Sequence, residues 1–293
     1  MDFKEITVPI IHDGLNAAIN AGILVRKHNT DELSYYIEHD DDTLEVVYRE
    51  LDKVVDTLTS VLCGTVMKPY TWEIEKVFPI LTAERKYHDP RIWLFQNKPH
   101  ISFGYYPIIL FGEYNNKDKQ MTSIIHLPIC NNHMNGLEKN WGFFEHDKKL
   151  CMVYYPQPLI IFEFNIHDNS VHIENISENM CKELGIGICG GSPPVLHPTE
   201  NIYYIFVHKT IIQNNYNIWC VAFTKINTKE WRVKGFTQER LNGGNPGEIS
   251  FPEGAVYDKR NDKWIISGGY KDMSLGFWTI AHDELKSKMT WLF

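Results

Sequence analysis

The chain has no paired CxxC spacing, no apolar run long enough for a membrane helix, and no excess of positive charge. Its six cysteines (Cys63, Cys130, Cys151, Cys181, Cys189 and Cys220) are scattered through 293 residues. In a chain large enough to fold without staples, that scatter predicts free thiols in a reducing compartment. The longest nearly apolar run, Tyr105 to Phe111, is broken by Pro107. It falls far below the roughly 18 residues that a spanning helix requires, so no membrane partner is expected. Met1 to Ile10 carries Asp2, Lys4 and Glu5 with no continuous apolar segment behind it. It does not read as a secretory signal, and a cytoplasmic location is expected. One glycosylation triplet, Asn175-Ile176-Ser177, is too short a pattern to oppose that reading. With 29 basic against 37 acidic side chains the net charge is −8, which repels phosphate backbones and argues against nucleic acid as a partner. A glycine-rich phosphate loop, a nucleophile elbow and an HExxH pair are all missing, and none of the thirteen histidines forms a metal-binding pair. No cofactor or metal is expected.

What is present is apolar and aromatic. The apolar share is 43%, and fifteen Tyr, fifteen Phe and eight Trp are spread along the chain, a composition that favours strands. One stretch reads differently. Leu44, Val47, Leu51, Val54, Val55, Leu58 and Leu62 recur at steps of three and four, after the acidic Asp40 to Asp42 and before Gly64. This spacing predicts an amphipathic helix, and residues 1–70 are expected to form a helix-containing cap packed on a main domain of residues 71–293. From Asp89 onward, short apolar runs are bounded by Asn, Asp, Gly, Pro or Lys: Ile101 to Tyr106, Ile124 to Ile129, Leu150 to Tyr155, Leu159 to Phe164, Ile202 to Val207, Trp219 to Phe223 and Trp264 to Ile266. Strands that follow one another without interleaved helices exclude a parallel α/β sheet.

Within this region a module recurs: a small polar motif, a short strand, a polar turn, then a strongly apolar strand. Copies run from Asp89 to Gly104, Lys139 to Tyr155, Gly190 to His208 and Phe251 to Gly268. The step of roughly 50 to 60 residues suits propeller blades. Four copies plus one degenerate or terminal blade make a five-bladed, all-β propeller, with a large sandwich as the alternative. In a propeller the first strand of each blade lines a central channel, so polar motifs at those strand starts gather although they are far apart in sequence.

The motifs Tyr87-His88-Asp89-Pro90-Arg91, Lys139-Asn140-Trp141, Gly190-Gly191-Ser192-Pro193-Pro194 with Tyr203 to His208, and Phe251-Pro252-Glu253-Gly254 with Ser267 to Asp272, taken in this order, resemble glycoside hydrolase family 130. That family comprises five-bladed mannoside phosphorylases and mannosidases, with related protozoan mannosyltransferase/phosphorylases. The resemblance spans about Arg85 to Ile280 and implies an enzyme acting on mannose-type glycosides with inversion. In it Asp89 would be the general acid, working through a sugar hydroxyl. Two positions depart from the family pattern. His88 stands where the family has glutamate, and Tyr155-Pro156 followed by Gln157-Pro158 stands where phosphorylases have Arg-Pro. An arginine fork holds an oxyanion by paired, charge-assisted hydrogen bonds that tyrosine cannot copy, which weighs against phosphorolysis and leaves sugar binding untouched.

Cleaving or making a glycosidic bond requires a proton donor and a group that stabilises or attacks the sugar carbon. Asp89 is the expected acid; otherwise Asp89-Pro90 only starts a turn. Glu253 or Asp272 is a candidate second carboxylate, against the reading of Pro-Glu-Gly as an ordinary turn. Arg91, Lys139 and His208 could together hold a phosphate, whether inorganic, on a sugar 1-phosphate or in a nucleotide-sugar co-substrate. The alternatives are scattered surface charges and, for His208, a structural histidine. Asn140 and Asp272 are placed to bind sugar hydroxyls, and Trp141 either stacks on a pyranose face or packs in the blade core. The expected partner is a mannose-containing oligosaccharide or a sugar phosphate. The competing class is a non-catalytic carbohydrate-binding or scaffold propeller.

Overall fold

Five antiparallel sheets form the blades of a β-propeller. The computed structural model describes the whole chain except residues 12–14, 16, 52–59, 86, 106–107, 127–139, 168–169, 185–186, 213–214, 228–229, 242–248 and 272. Blade I runs outward from the channel as Ala17–Arg26, Thr43–Leu51, Ser60–Met67 and Ile74–Arg85, with Leu33–Ser34 paired to its inner strand. Blade II is Tyr87–Phe95, Lys98–Tyr105, Ile108–Asn115 and Gln120–His126. Blade III is Gly142–His146, Lys149–Pro156, Leu159–His167 and Ser170–Asn179. Blade IV is Ile188–Gly191, Tyr203–Ile212, Asn215–Ile226 and Glu230–Thr237, and blade V is Ser250–Asp258, Lys263–Tyr270 and Ser274–Ala281.

Both chain ends are stitched into this ring. Asp2–Ile6 supplies the outer strand of blade V, with Phe3 opposite Trp278. Met289–Trp291 adds to the outside of blade IV after a short helix, His282–Ser287.

Five apolar clusters fill the five seams, one between each adjacent pair of blades. A propeller sheet is therefore buried on both faces, which is why its middle strands read as continuous apolar runs such as Tyr203 to Val207. The outermost strands of blades II and III return to mixed, largely exposed sequence.

The helix expected over Leu44 to Leu62 is instead a pair of strands. Thr43–Leu51 and Ser60–Met67 pair antiparallel, Leu44 opposite Met67 and Leu51 opposite Ser60; Val54, Val55 and Leu58 lie outside the described residues. The physical reason is two-sided burial. Leu44, Val46 and Tyr48 enter the cluster between blades V and I, whereas Val47 enters the one between blades I and II. Glu45, buried beside Val47's face, is neutralised by Arg26 at 3.0 Å and Lys119 at 2.6 Å. A strand with apolar residues on both faces and two buried acids, Glu45 and Glu50, mimics three- and four-residue steps. The N-terminal segment thus provides a blade of its own, and among its described residues there is no helix.

The segment Tyr35 to Ile37 crosses the end of the channel remote from the bulges described below. Tyr36–Ile37 pairs in parallel with the end of blade V's inner strand, the Tyr35 hydroxyl accepts from Leu94 N of blade II at 3.0 Å, and the Tyr36 hydroxyl donates to Leu196 O of blade IV at 2.8 Å. This strap gives the channel a floor. Five described cysteines are free thiols, and burial pushes the Cys151 thiol up to about 12. Among the described residues no helix is long and apolar enough to cross a membrane.

Candidate active site

Four of the five inner strands are interrupted near their starts. The pairing of the first two strands slips between Ile19 and Gly22 in blade I, His88 and Arg91 in blade II, Cys189 and Gly191 in blade IV, and Pro252 and Gly254 in blade V. Such bulges turn a side chain out of the regular pleat. Asn20, Asp89 and Asn140, the last just ahead of blade III's inner strand, sit there with φ of 61°, 48° and 68°. Asn and Asp tolerate this left-handed backbone better than most residues. A left-handed Asn or Asp therefore presents a short polar side chain from three successive blades.

The presented groups meet. Asn20 Nδ2 donates to Asp89 Oδ1 at 2.6 Å. Arg91 donates from Nε to Gly191 O at 2.7 Å, from Nη1 to Asp89 O at 2.9 Å, and from Nη2 to Asn140 Oδ1 at 3.4 Å. The same Nη2 faces Glu253 Oε1 at 4.0 Å. One guanidinium thus links blades II, III, IV and V. Blades III and IV touch closely because residue 190 is glycine: a Cβ there would lie 1.7 Å from Asn140 O.

Of the residues expected to act, Asp89 is half-buried at the channel and keeps some solvent access. Arg91 is 3% exposed and Glu253 is 0% exposed. Arg91 is a buried tie between blades, and Glu253 faces it as countercharge. His208, on the second strand of blade IV, is 3% exposed, and its ring lies 4.2 Å from Phe251 across the seam to blade V; the structural reading describes it. Trp141 is 3% exposed in the cluster between blades II and III, 5.8 Å from Tyr154, so it packs and does not offer a face to sugar. Asn140 is buried on Arg91. Lys139 and Asp272 lie outside the described residues.

Two neighbours of Asp89 escape the sequence reading. Asn20 is one. Its signal is visible in retrospect, because Asn20-Ala21-Gly22 repeats the Asn-x-Gly pattern of Asn140-Trp141-Gly142. Arg49 is the other: its Nη1 lies 3.1 Å from Tyr87 O and 2.8 Å from His88 Nδ1. Arginine has no lone pair to accept with, so His88 Nδ1 accepts and its proton resides on Nε2. The departure from the family's glutamate at position 88 thus comes with a cation from blade I.

A second polar cluster, His197, Glu200 and His282, brings three potential ligand atoms within 4.8 Å of one another. Its hydrogen bonds oppose a metal. Trp264 Nε1, which can only donate, points at His282 Nδ1 at 3.1 Å, leaving the His282 proton on Nε2 toward Glu200 Oε1, also at 3.1 Å. Lys286 Nζ at 2.7 Å and the Tyr204 hydroxyl at 2.6 Å occupy the Glu200 oxygens. The cluster is a clasp that fastens the C-terminal helix to blade IV.

No protein-family model and no curated protein matches the chain. Solved structures do. The chain superposes on β-1,2-mannobiose phosphorylase from Listeria innocua in complex with β-1,2-mannobiose, with a TM-score of 0.63 and 14% identity, covering 98% of this chain and 99% of that one. A hypothetical protein from Leishmania major gives a TM-score of 0.56 at 14% identity, covering 96% and 90% of the two chains. The GH43_1 enzyme from Xanthomonas citri gives 0.53 at 11% identity, covering 98% and 94%. At such identities the likeness establishes architecture: a five-bladed propeller of the kind used by glycoside hydrolases and a phosphorylase.

Proposed function

We propose that the chain is a carbohydrate-active enzyme acting on mannose-type glycosides with inversion, with Asp89 as the proton-transferring group. The observation that carries this reading is the setting of Asp89. It is a half-buried carboxylate, on a left-handed bulge at the channel, held by Asn20 and by Arg91 within a ring of otherwise buried polar groups. Strained backbone that the surroundings over-determine is concentrated at functional positions. The family 130 resemblance of the four motifs and the mannobiose phosphorylase among the structural neighbours support the sugar class.

Among the three reactions, transfer to a sugar acceptor is favoured. Inverting hydrolysis uses one carboxylic acid and a second carboxylate that activates water. Of the two candidate second carboxylates, Glu253 is sealed against Arg91, and Asp272 lies outside the described residues. Phosphorolysis dispenses with a base because phosphate is itself the nucleophile, but Tyr155 replaces the arginine that would hold it, and Arg91 is committed to neighbouring blades. Transfer breaks the anomeric C–O bond and releases an already ionised leaving group, inorganic phosphate from a sugar 1-phosphate or the nucleoside diphosphate from a nucleotide sugar. It then requires one group, Asp89, to take the acceptor's proton, directly or through a sugar hydroxyl.

The test is to incubate the protein with mannose 1-phosphate or GDP-mannose and mannose acceptors, beside Asp89→Asn. Wild type is expected to form oligosaccharide, and the variant to be slower by about 10²- to 10⁴-fold. Equal rates in the two proteins refute the assignment. Absence of any product, with mannosides still bound at the channel, favours the binding-only propeller.

A further inference from the structure

Asn20 has no part in the reaction as written so far, yet its placement is costly. Its backbone is left-handed, with φ of 61°. Its side chain is 5% exposed, and its Oδ1 is buried with no hydrogen-bond partner among the described residues. That oxygen lies where a Cβ on residue 269 would come within 2.3 Å, so Gly269 leaves the space in which the amide sits. A left-handed backbone and an orphaned buried acceptor are both unfavourable. Turning the amide over would set its oxygen against the Asp89 carboxylate. The contact that this arrangement secures is the 2.6 Å hydrogen bond from Nδ2 to Asp89 Oδ1, between residues 69 apart in sequence.

We infer that Asn20 is a positioning residue for Asp89: its amide fixes Oδ1 as an acceptor and so assigns the transferable proton to Oδ2. The inference rests on the proposed role of Asp89. A proton on Oδ1 would set two donors head to head, whereas Oδ2 can carry the proton while Oδ1 continues to accept. The same N–H stabilises the ionised carboxylate, so Asn20 lowers the pH at which Asp89 loses its proton.

The other charged and titratable groups around Asp89, among the described residues, are identifiable. Arg91, on the same strand, donates to the Asp89 carbonyl and has Glu253 of blade V behind it. His88, the preceding residue, is faced by Arg49 of blade I. All of them are retained when residue 20 alone is changed.

The experiment follows the ¹³C carboxyl resonance of Asp89, assigned by its loss in Asp89→Asn, through a pH titration of the ligand-free protein. Wild type is compared with Asn20→Gly and Asn20→Asp, both of which tolerate positive φ, and with Gly269→Ala, which displaces the amide without altering it. Asn20→Gly and Gly269→Ala are expected to raise the Asp89 midpoint by about one pH unit, and Asn20→Asp by about 1–3 units with coupled steps. Where turnover is measurable, the acidic limb of kcat, set by the ionised Asp89 that takes the acceptor's proton, moves up by the same amount while KM is kept. Unchanged midpoints in all three variants overturn the inference. Its failure is separable from that of the proposed reaction. If Asp89→Asn abolishes transfer and no midpoint moves, Asn20 alone is misassigned. If Asp89→Asn transfers normally, Asp89 is not the proton-transferring group, and Asn20 has no such group to position.

Discussion

The Arg91 guanidinium contacts three other blades, and its removal is expected to be felt in stability before it is felt in binding. Arg91→Met removes the guanidinium that faces the buried Glu253, for which a loss of roughly 3–5 kcal/mol is expected, read as a lowered thermal midpoint. Adding Glu253→Gln should restore part of that loss; a double variant no more stable than Arg91→Met would show that the two charges are not coupled. The motifs containing Asp89, Arg91, Asn140 and Glu253 were legible because Asx, Gly and Pro recur at blade starts. What sequence could not convey is which of these side chains stay open. Arg91 and Glu253 look as available as Asp89 in sequence, and only the approach of neighbouring blades, as at Gly190, shows that they are sealed. Asn20 was missed because Ile19-Asn20-Ala21-Gly22 carries none of the charged or proline residues found in each of the other copies.

At the scale of elements, the C-terminal helix is held by the clasp of His197, Glu200, His282 and Lys286. Burial pushes His197 down to about 4 from an ordinary 6.5, helped by the stacked His282 ring 4.2 Å away. Burial alone would raise Glu200, but hydrogen bonds from Lys286, Tyr204 and His282 outweigh it and hold Glu200 at about 2. Both groups are therefore less protonated in the fold than in the unfolded chain. Below pH 6.5 the unfolded state takes up a proton at His197 that the fold resists until about 4, and from 4.5 toward 2 Glu200 acts in the same direction. The thermal midpoint is expected to fall as pH is lowered from 7 to 4, and His197→Phe, which keeps an aromatic ring in the stack, should flatten that slope. An unchanged slope in the variant would place the pH dependence elsewhere. Most strands were legible from their bounding turns. The hairpin of Thr43–Leu51 and Ser60–Met67 was not, because burial on two faces erases the alternation that identifies a strand.

For the whole molecule, the recurrence of one module was enough to read five blades, because every seam repeats the same packing problem and selects a similar sequence solution. Ring closure was not readable, since Asp2–Ile6 is short and mostly exposed, with Phe3 at 4.5 Å from Tyr270 as its main ring contact. Deleting residues 1–6 should bare the edge of Ser274–Ala281, lower the thermal midpoint and promote association; a deletion variant as stable and monodisperse as the parent would contradict closure by this strand. Such closure matters for function because the channel groups come from five separate blades and stay together only while the ring is shut. The most direct measurement is a crystal structure of Asp89→Asn with a bound mannobiose. The predicted result is a sugar at the channel mouth with its glycosidic oxygen, or a hydroxyl beside it, within about 3.2 Å of the residue 89 side chain. A mannoside bound elsewhere on the molecule, or none bound at saturating concentration, would contradict the proposal.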